Sequence, residues 1–321
     1  MVAVTGASGL LGGHLLSRFL EAGVPLTALH RGDHHSIPES VIKKTADILD
    51  PVSLNEAFKN VETVIHSAAC VSFNPRKRNS ILNINVKGTE QVVDACLQQG
   101  VKNLIHISSV AALGRKPGEQ INEKSVWTGE HVSDYAESKY LAELEVYRGA
   151  EEGLTISMVN PSVILSAAQP SRSSAALFNY VWKEKRFLTY GSLNYVDARD
   201  VADAVFQLYQ KPQPGEKFIL SAGSIPFKDF FERTAILLNK KKPTIQISSS
   251  IAYWAGWAEE IISMLLNREP LITRLSARMA SQSFQYDSQK AKDYLGLQFR
   301  SLDETLGWCC DDFLRNVKPN K

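Results

Sequence analysis

Tyr135 and Lys139 stand four residues apart, a spacing that puts both side chains on one face if the segment is helical. A phenol has a pKa of about 10 in water, and an ammonium beside it, together with an oxidised nicotinamide ring, would stabilise the phenolate and draw that value toward neutrality. The pair is then a usable general acid/base. Ser133, just upstream, is a plausible N-cap for the helix that this chemistry needs. Twenty-six residues before Tyr135 lie Ser108 and Ser109, at the end of an apolar run, where a hydroxyl can point into the crevice at the carboxyl end of a sheet.

A second constellation sits at the start of the chain, where Thr5-Gly6-Ala7-Ser8-Gly9-Leu10-Leu11-Gly12 follows a short apolar run and opens a helical pattern. Glycines there allow a tight turn and let backbone N–H groups approach a pyrophosphate, and the helix N-terminus adds positive partial charge. Gly6, Ser8, Gly9, Leu10, Leu11 and Gly12 are thus candidate dinucleotide contacts. Nineteen residues after Gly12 stands Arg31, with His30 where an acidic residue would take the ribose hydroxyls of NAD. That favours NADP(H), with NAD(H) possible. Lys43 and Lys44 are alternative cations for the same phosphate.

The elements that must position these groups alternate strand with helix. Val2–Val4, Pro25–His30, Val61–His66, Leu104–Ile107 and Thr155–Val159 read as strands buried on both faces, and Leu10–Glu21, Thr89–Gln99 and Lys139–Glu152 as the intervening helices. Gly23, Gly100 and Gly153 close three helices just before a strand. The fold class expected is α/β, a doubly wound parallel (Rossmann) sheet with a smaller, mostly helical C-terminal substrate lobe. The expected division is 1–165 for the dinucleotide-binding domain and 166–321 for the substrate lobe, with about 194–212 returning to the first domain. Residues 194–210 show helical periodicity through Val201, Val205 and Leu208.

Composition sets outer bounds. The 321 residues are 44% hydrophobic and 22% charged, as in soluble globular chains. Thirty-six basic against 34 acidic residues leave a formal +2, too balanced for a nucleic-acid partner. The four cysteines, Cys70, Cys96, Cys309 and Cys310, suggest no disulfide scaffold, which points to a reduced, cytoplasmic compartment. No signal-peptide pattern precedes Val2, and Ile251–Leu266, interrupted by Glu259 and Glu260, is too short and too polar for a membrane span, so no membrane partner is expected. The seven histidines show no ligand spacing, so no metal site is expected.

With these segments in order, the chain resembles the extended short-chain dehydrogenase/reductase superfamily, in its NAD-dependent epimerase/dehydratase family and dihydroflavonol reductase-like group. Further segments carry the resemblance: Ala46-Asp47-Ile48, Val64-Ile65-His66-Ser67-Ala68-Ala69, Asn85-Val86-Lys87-Gly88-Thr89, Asn160-Pro161-Ser162-Val163-Ile164 and Tyr195-Val196-Asp197-Ala198-Arg199-Asp200-Val201. It implies that Tyr135 transfers the proton, that Lys139 binds the nicotinamide ribose and lowers the tyrosine pKa, and that Ser109, selected over Ser108 by the following Gly114, hydrogen-bonds the reacting oxygen. It also implies cofactor contacts at Asp47, Ile48, Ala68, Ala69, Asn85, Ile107, Pro161 and Val163, besides Tyr135 and Lys139, and a homodimer formed through the helices starting near Thr89 and Tyr135.

Two departures from the pattern bear on the substrate. Leu165-Ser166-Ala167-Ala168 replaces the family's frequent Gly-Pro, which alters the substrate-side loop, and Val110-Ala111 stand where sugar dehydratases carry an Asp-Glu pair, which disfavours dehydration. The reaction expected is hydride transfer between nicotinamide and a carbonyl or secondary alcohol of a small molecule. The alternatives are a nucleotide-sugar epimerase with tightly bound NAD and a non-catalytic dinucleotide sensor. Tyr253, Trp254 and Trp257 with Ile261, Ile262 and Leu265 make an apolar stripe at helical spacing, expected in the core or on the wall of an apolar substrate pocket. Lys240-Lys241-Lys242 reads as a solvated loop and His66 as a hydrogen-bonded packing residue.

Overall fold

A computed structural model describes residues 1–32, 37–115, 119–129, 133–166, 174–265, 273–279 and 282–316. Seven parallel strands form the central sheet: β1 (Val2–Thr5), β2 (Leu26–His30), β3 (Ile42–Thr45), β4 (Thr63–His66), β5 (Asn103–Ile107), β6 (Thr155–Pro161) and β7 (Lys217–Leu220). Their spatial order is β7-β6-β5-β4-β1-β2-β3, so the direction of winding reverses between β1 and β4. That reversal opens a crevice at the carboxyl ends of the strands, where open α/β sheets bind ligands.

Helices cover both faces. α1 (Leu10–Glu21) lies on one, and α2 (Pro51–Ala57), α3 (Gly88–Gln98) and α4 (Asp134–Glu151) lie on the other. The first helix buries Leu15, Leu16 and Phe19, and the second group buries Leu54, Val92, Val93 and Val146. Side-chain caps start α2 at Asp50, which accepts from the Val52 amide, and α4 at Ser133, which accepts from the Ala136 amide. Gly23, Gly100 and Gly153 all take positive φ after their helices.

The smaller lobe packs α5 (Ala175–Trp182), α7 (Phe227–Leu237) and α11 (Leu302–Asn316) around Phe178, Phe230 and Phe313. Between them lies a separate three-stranded sheet. Residues 192–197 are a strand, paired with Val163–Leu165 and Gly223–Pro226, and α6 begins only at Ala198 and runs to Gln210. The helical reading of 194–197 is thus corrected: Tyr195 and Val196 suit a pleated strand, and the true helix start is marked by Asp197, whose carboxylate accepts from the Arg199 amide. The same motif fastens the C-terminus. Asp197 also accepts from Thr305 Oγ1 at 2.9 Å, and Asp200 accepts from the Arg300 amide and guanidinium. β7 and α10 (Gln289–Leu295) then finish the sheet edge.

The aromatic stripe of α8 (Ser249–Leu265) does not lie in the core: Trp254 is 62% exposed. The inward face is narrow because α9 (Arg274–Met279) comes very close, and a Cβ at Gly256 would lie 2.7 Å from the Thr273 carbonyl carbon. Large side chains have no room there and point outward. No helix among the described residues is long and apolar enough to cross a membrane.

Candidate active site

The site lies where β1, β4, β5 and β6 end. Gly6 takes φ +69°, and a Cβ on it would meet the Ala68 amide nitrogen at 2.7 Å, so only glycine lets the opening turn rest against the loop after β4. Gly12 is equally constrained, with the Gly6 carbonyl 2.3 Å from its would-be Cβ. α1 begins at Gly9 without a side-chain cap, and Ser8 and Gly9 are exposed. An uncapped helix start on a turn with no side chains in the way fits a pyrophosphate.

A hydrogen-bond chain holds that turn in place. Thr89 Oγ1 donates to the Asn85 carbonyl at 2.6 Å, so it accepts from His66 Nε2 at 3.0 Å. The protonated nitrogen of His66 is therefore Nε2, and Nδ1 accepts from the Thr5 hydroxyl at 2.8 Å. Thr5 Oγ1 in turn accepts from the Ser67 and Ala68 amides. Burial pulls the His66 pKa down to about 3, with help from the Lys139 charge, so the ring stays neutral and the relay keeps one direction.

The chemistry-bearing face belongs to α4. Tyr135, Lys139 and Glu143 follow one another at one-turn spacing. The Ser109 side chain, whose Oγ accepts from the Ala111 amide at 3.1 Å, lies near enough to the Tyr135 phenol to lower its pKa, and Phe73 stands edge-on to the phenol at 6.2 Å between centroids. Lys139, 2% exposed, donates from Nζ to the Ile107 carbonyl at 2.7 Å. Burial pulls its ammonium down to about 8 against the opposing Glu143 carboxylate. Burial pushes the Tyr135 phenol up, against the nearby Ser109 hydroxyl, which lowers it. The shift is opposite to that expected for the cofactor-loaded site, because a desolvated phenol prefers to stay neutral until a positive ring is brought beside it.

Glu143, Asn160 and Cys70 were not among the residues expected from the sequence. Glu143 accepts from Ser108 Oγ at 2.5 Å, from Asn160 Nδ2 at 2.6 Å and from Lys217 Nζ at 3.3 Å. Asn160 also donates to the Ser109 carbonyl at 3.0 Å. The two serines therefore separate by role: Ser109 meets the phenol, and Ser108 is taken by the buried carboxylate. Cys70, in the loop after β4, lies close to Tyr135, and a negative charge there would raise the phenol pKa. Glu143 had one available signal, its place one turn beyond Lys139.

The remaining expected contacts are distributed as follows. Asn85, 2% exposed, has its side chain engaged by the Cys70 amide and carbonyl and by Ser138 Oγ, bracing the loop after β4 against α4. Ile48 packs where a Cβ on Gly88 would fall, and Asp47 closes its own turn by accepting from the Leu49 amide. Ala69 and Val163 are exposed, Ala68 is half-buried, and Ile107 and Pro161 are buried at the strand ends. Arg31 is exposed just past β2. Lys44 is spent on the carbonyls of Glu56 and Ala57 at the end of α2. Ala167 and Ala168 lie outside the described residues.

Residues 2–221 match the model of the NAD dependent epimerase/dehydratase family. The chain is 26% identical over 315 residues to a protein described as a dihydroflavonol 4-reductase from Synechocystis, covering 94% of this chain and 91% of that one. It is 25% identical over 304 residues to sterol demethylase protein B of Methylococcus capsulatus, covering 92% of each. Among solved structures, gox2253 superposes with a TM-score of 0.84 at 28% identity and 98% coverage of both chains. The UDP-glucose 4-epimerase of Thermus thermophilus, solved with NAD, gives 0.78 at 20% identity, covering 98% of this chain and 99% of that one, a likeness of fold.

Proposed function

The chain belongs to the NAD dependent epimerase/dehydratase family, and we propose that it is an NADP(H)-preferring oxidoreductase acting on a carbonyl or secondary alcohol of an apolar ring compound. The observation that carries the proposal is the convergence of Ser109 and Tyr135 on each other, with Lys139 buried one turn behind. The nicotinamide cofactor supplies the hydride when bound. In reduction, the Tyr135 phenol, kept protonated by burial, gives its proton to the substrate oxygen, and Ser109 holds that oxygen beside it. In oxidation the phenolate of the same residue takes the proton back.

Lys139 uses one of its three ammonium protons on the Ile107 carbonyl and offers the others to ribose hydroxyls. Its charge stabilises the phenolate after proton transfer. Gly6, Gly9 and Gly12 would hold a pyrophosphate against the start of α1, and the exposed Arg31 would receive a 2′-phosphate. Apolar substrates are supported by Phe73 beside the phenol and by the reductases and sterol enzymes among the relatives. Pairing of two copies through α3 and α4 belongs to the same proposal.

The test is to titrate the pure protein with NADPH and NADH and then to screen aromatic and polycyclic carbonyls for loss of cofactor absorbance. Stoichiometric consumption of NADPH is the expected result. Turnover of a nucleotide sugar without added cofactor would replace this reading with an epimerase.

A further inference from the structure

α8 is amphipathic in the reverse sense to a water-facing helix. Its buried positions are small: Ala252, Gly256 and Ser263. Glu260 is also turned inward and satisfied there, accepting from the Arg274 amide and Nε at 2.8 Å each. Every exposed position from 251 to 264 is apolar. Ile251, Tyr253, Trp254, Trp257, Ile262 and Met264 are each between 40% and 62% exposed. A soluble helix puts such residues against the core, and a contiguous outward patch of them marks an interaction surface.

A cluster of cations stands at the base of the same helix. The turns Lys183–Arg186 and Lys240–Lys242 are brought together by the parallel pairing of Phe187–Leu188 with Ile245–Gln246, three residues before α8 begins. They carry Lys183, Lys185, Arg186, Lys240, Lys241 and Lys242 against two carboxylates, Glu184 and Glu232. Phe187 and Tyr190 extend the exposed apolar surface beside them, at 53% and 64% exposure.

We infer that this surface docks peripherally on an anionic phospholipid bilayer, the outward face of α8 entering the boundary between headgroups and acyl chains while the two basic turns lie on the lipid phosphates. Trp and Tyr favour that boundary because one end of each ring is apolar and the other can hydrogen-bond. The positive turns supply the charge complementarity that an apolar helix alone lacks, and neither signal by itself gives stable anchoring. The inner side of α8 is tied to the chain just beyond Phe73: Arg76 Nη2 donates to Ser263 Oγ at 3.2 Å, three residues after the ring that stands edge-on to Tyr135.

The test is sedimentation of the full chain with vesicles of phosphatidylcholine alone and of phosphatidylcholine mixed with phosphatidylserine, with no cofactor or substrate added, so that its outcome is separate from that of the proposed reaction. Binding to the anionic vesicles should exceed binding to the neutral ones by roughly tenfold or more, fall with added salt, and shift tryptophan emission to the blue. The double variant Trp254→Ser, Trp257→Ser should lose binding, and the triple variant Lys240→Gln, Lys241→Gln, Lys242→Gln should lose the preference for phosphatidylserine, with thermal unfolding unchanged in both. Wild-type protein left in the supernatant with both vesicles would overturn the inference. So would undiminished binding of the tryptophan variant, or a tryptophan variant that turns a dimer into a monomer while the wild type ignores lipid.

Discussion

Lys139 and Glu143 stand one turn apart on the buried face of α4 and draw their partners from three neighbouring strands: the ammonium donates to the end of β5, and the carboxylate gathers Ser108 just past β5, Asn160 of β6 and Lys217 of β7. The carboxylate raises the lysine pKa but does not offset its desolvation. Replacing Glu143 by Gln keeps an acceptor for Ser108 and removes the charge. The alkaline limb of the reductase pH profile, set by loss of the Lys139 proton, should then move to lower pH, with a loss of stability of about 1–3 kcal/mol, because Lys217 loses its ion pair. An unmoved limb in steady-state kinetics would separate Glu143 from the lysine.

Tyr135→Phe should lower kcat by about 10²-fold or more, the size of a lost general acid, while leaving the dissociation constant for NADPH nearly unchanged. Stopped-flow hydride transfer and cofactor fluorescence measure the two separately.

Lys139 should contribute to the pH dependence of stability with a definite sign. Its native pKa, about 8, lies below the ordinary 10.5, so between those values the unfolded chain binds more protons and stability rises with pH. Below about 8 the full cost is present. At about 1.4 kcal/mol per pKa unit it is on the order of 3 kcal/mol. Lys139→Met should therefore melt higher than wild type at neutral pH, lose that advantage in alkali, and have no turnover. Paired calorimetric scans across the window check the sign.

Gly6→Ala should abolish dinucleotide binding and cost stability, since the residue has φ +69° and its new methyl would strike the Ala68 backbone 2.7 Å away. Strain at a positive φ alone is worth about 1–3 kcal/mol. Gly13→Ala, where nothing lies within 4 Å, should be nearly neutral and serves as the control.

Arg31→Asp should reduce kcat/KM for NADPH by tenfold or more and leave or raise that for NADH, because an acid at this place accepts from ribose hydroxyls and repels a 2′-phosphate (a factor of ~10 is about 1.4 kcal/mol). Equal losses with both cofactors would place Arg31 away from the ribose.

The sheet and the glycine turn were legible because fully buried strands must be apolar along their whole length and a pyrophosphate turn tolerates few residue types. The Tyr135–Lys139 face was legible because helical spacing is a local property. Glu143 repeats the one-turn spacing from Lys139, but its partners lie 35, 17 and 74 residues away, and those contacts leave no local trace. Strand 192–197 was misread because its apolar residues continue in register with those of α6. At α8 the periodicity disclosed a stripe and could not disclose its direction; the crowding at Gly256 decides that.

The clasp of Asp197 and Asp200 onto Thr305 and Arg300 also has a bearing on biosynthesis. During translation residues 2–221 emerge first, yet Asp197 and Asp200 stay without these partners until residues 300–305 have left the ribosome. A nascent chain halted near residue 290 would therefore hold the glycine turn and the tyrosine helix while lacking the Arg300 and Thr305 contacts to Asp200 and Asp197.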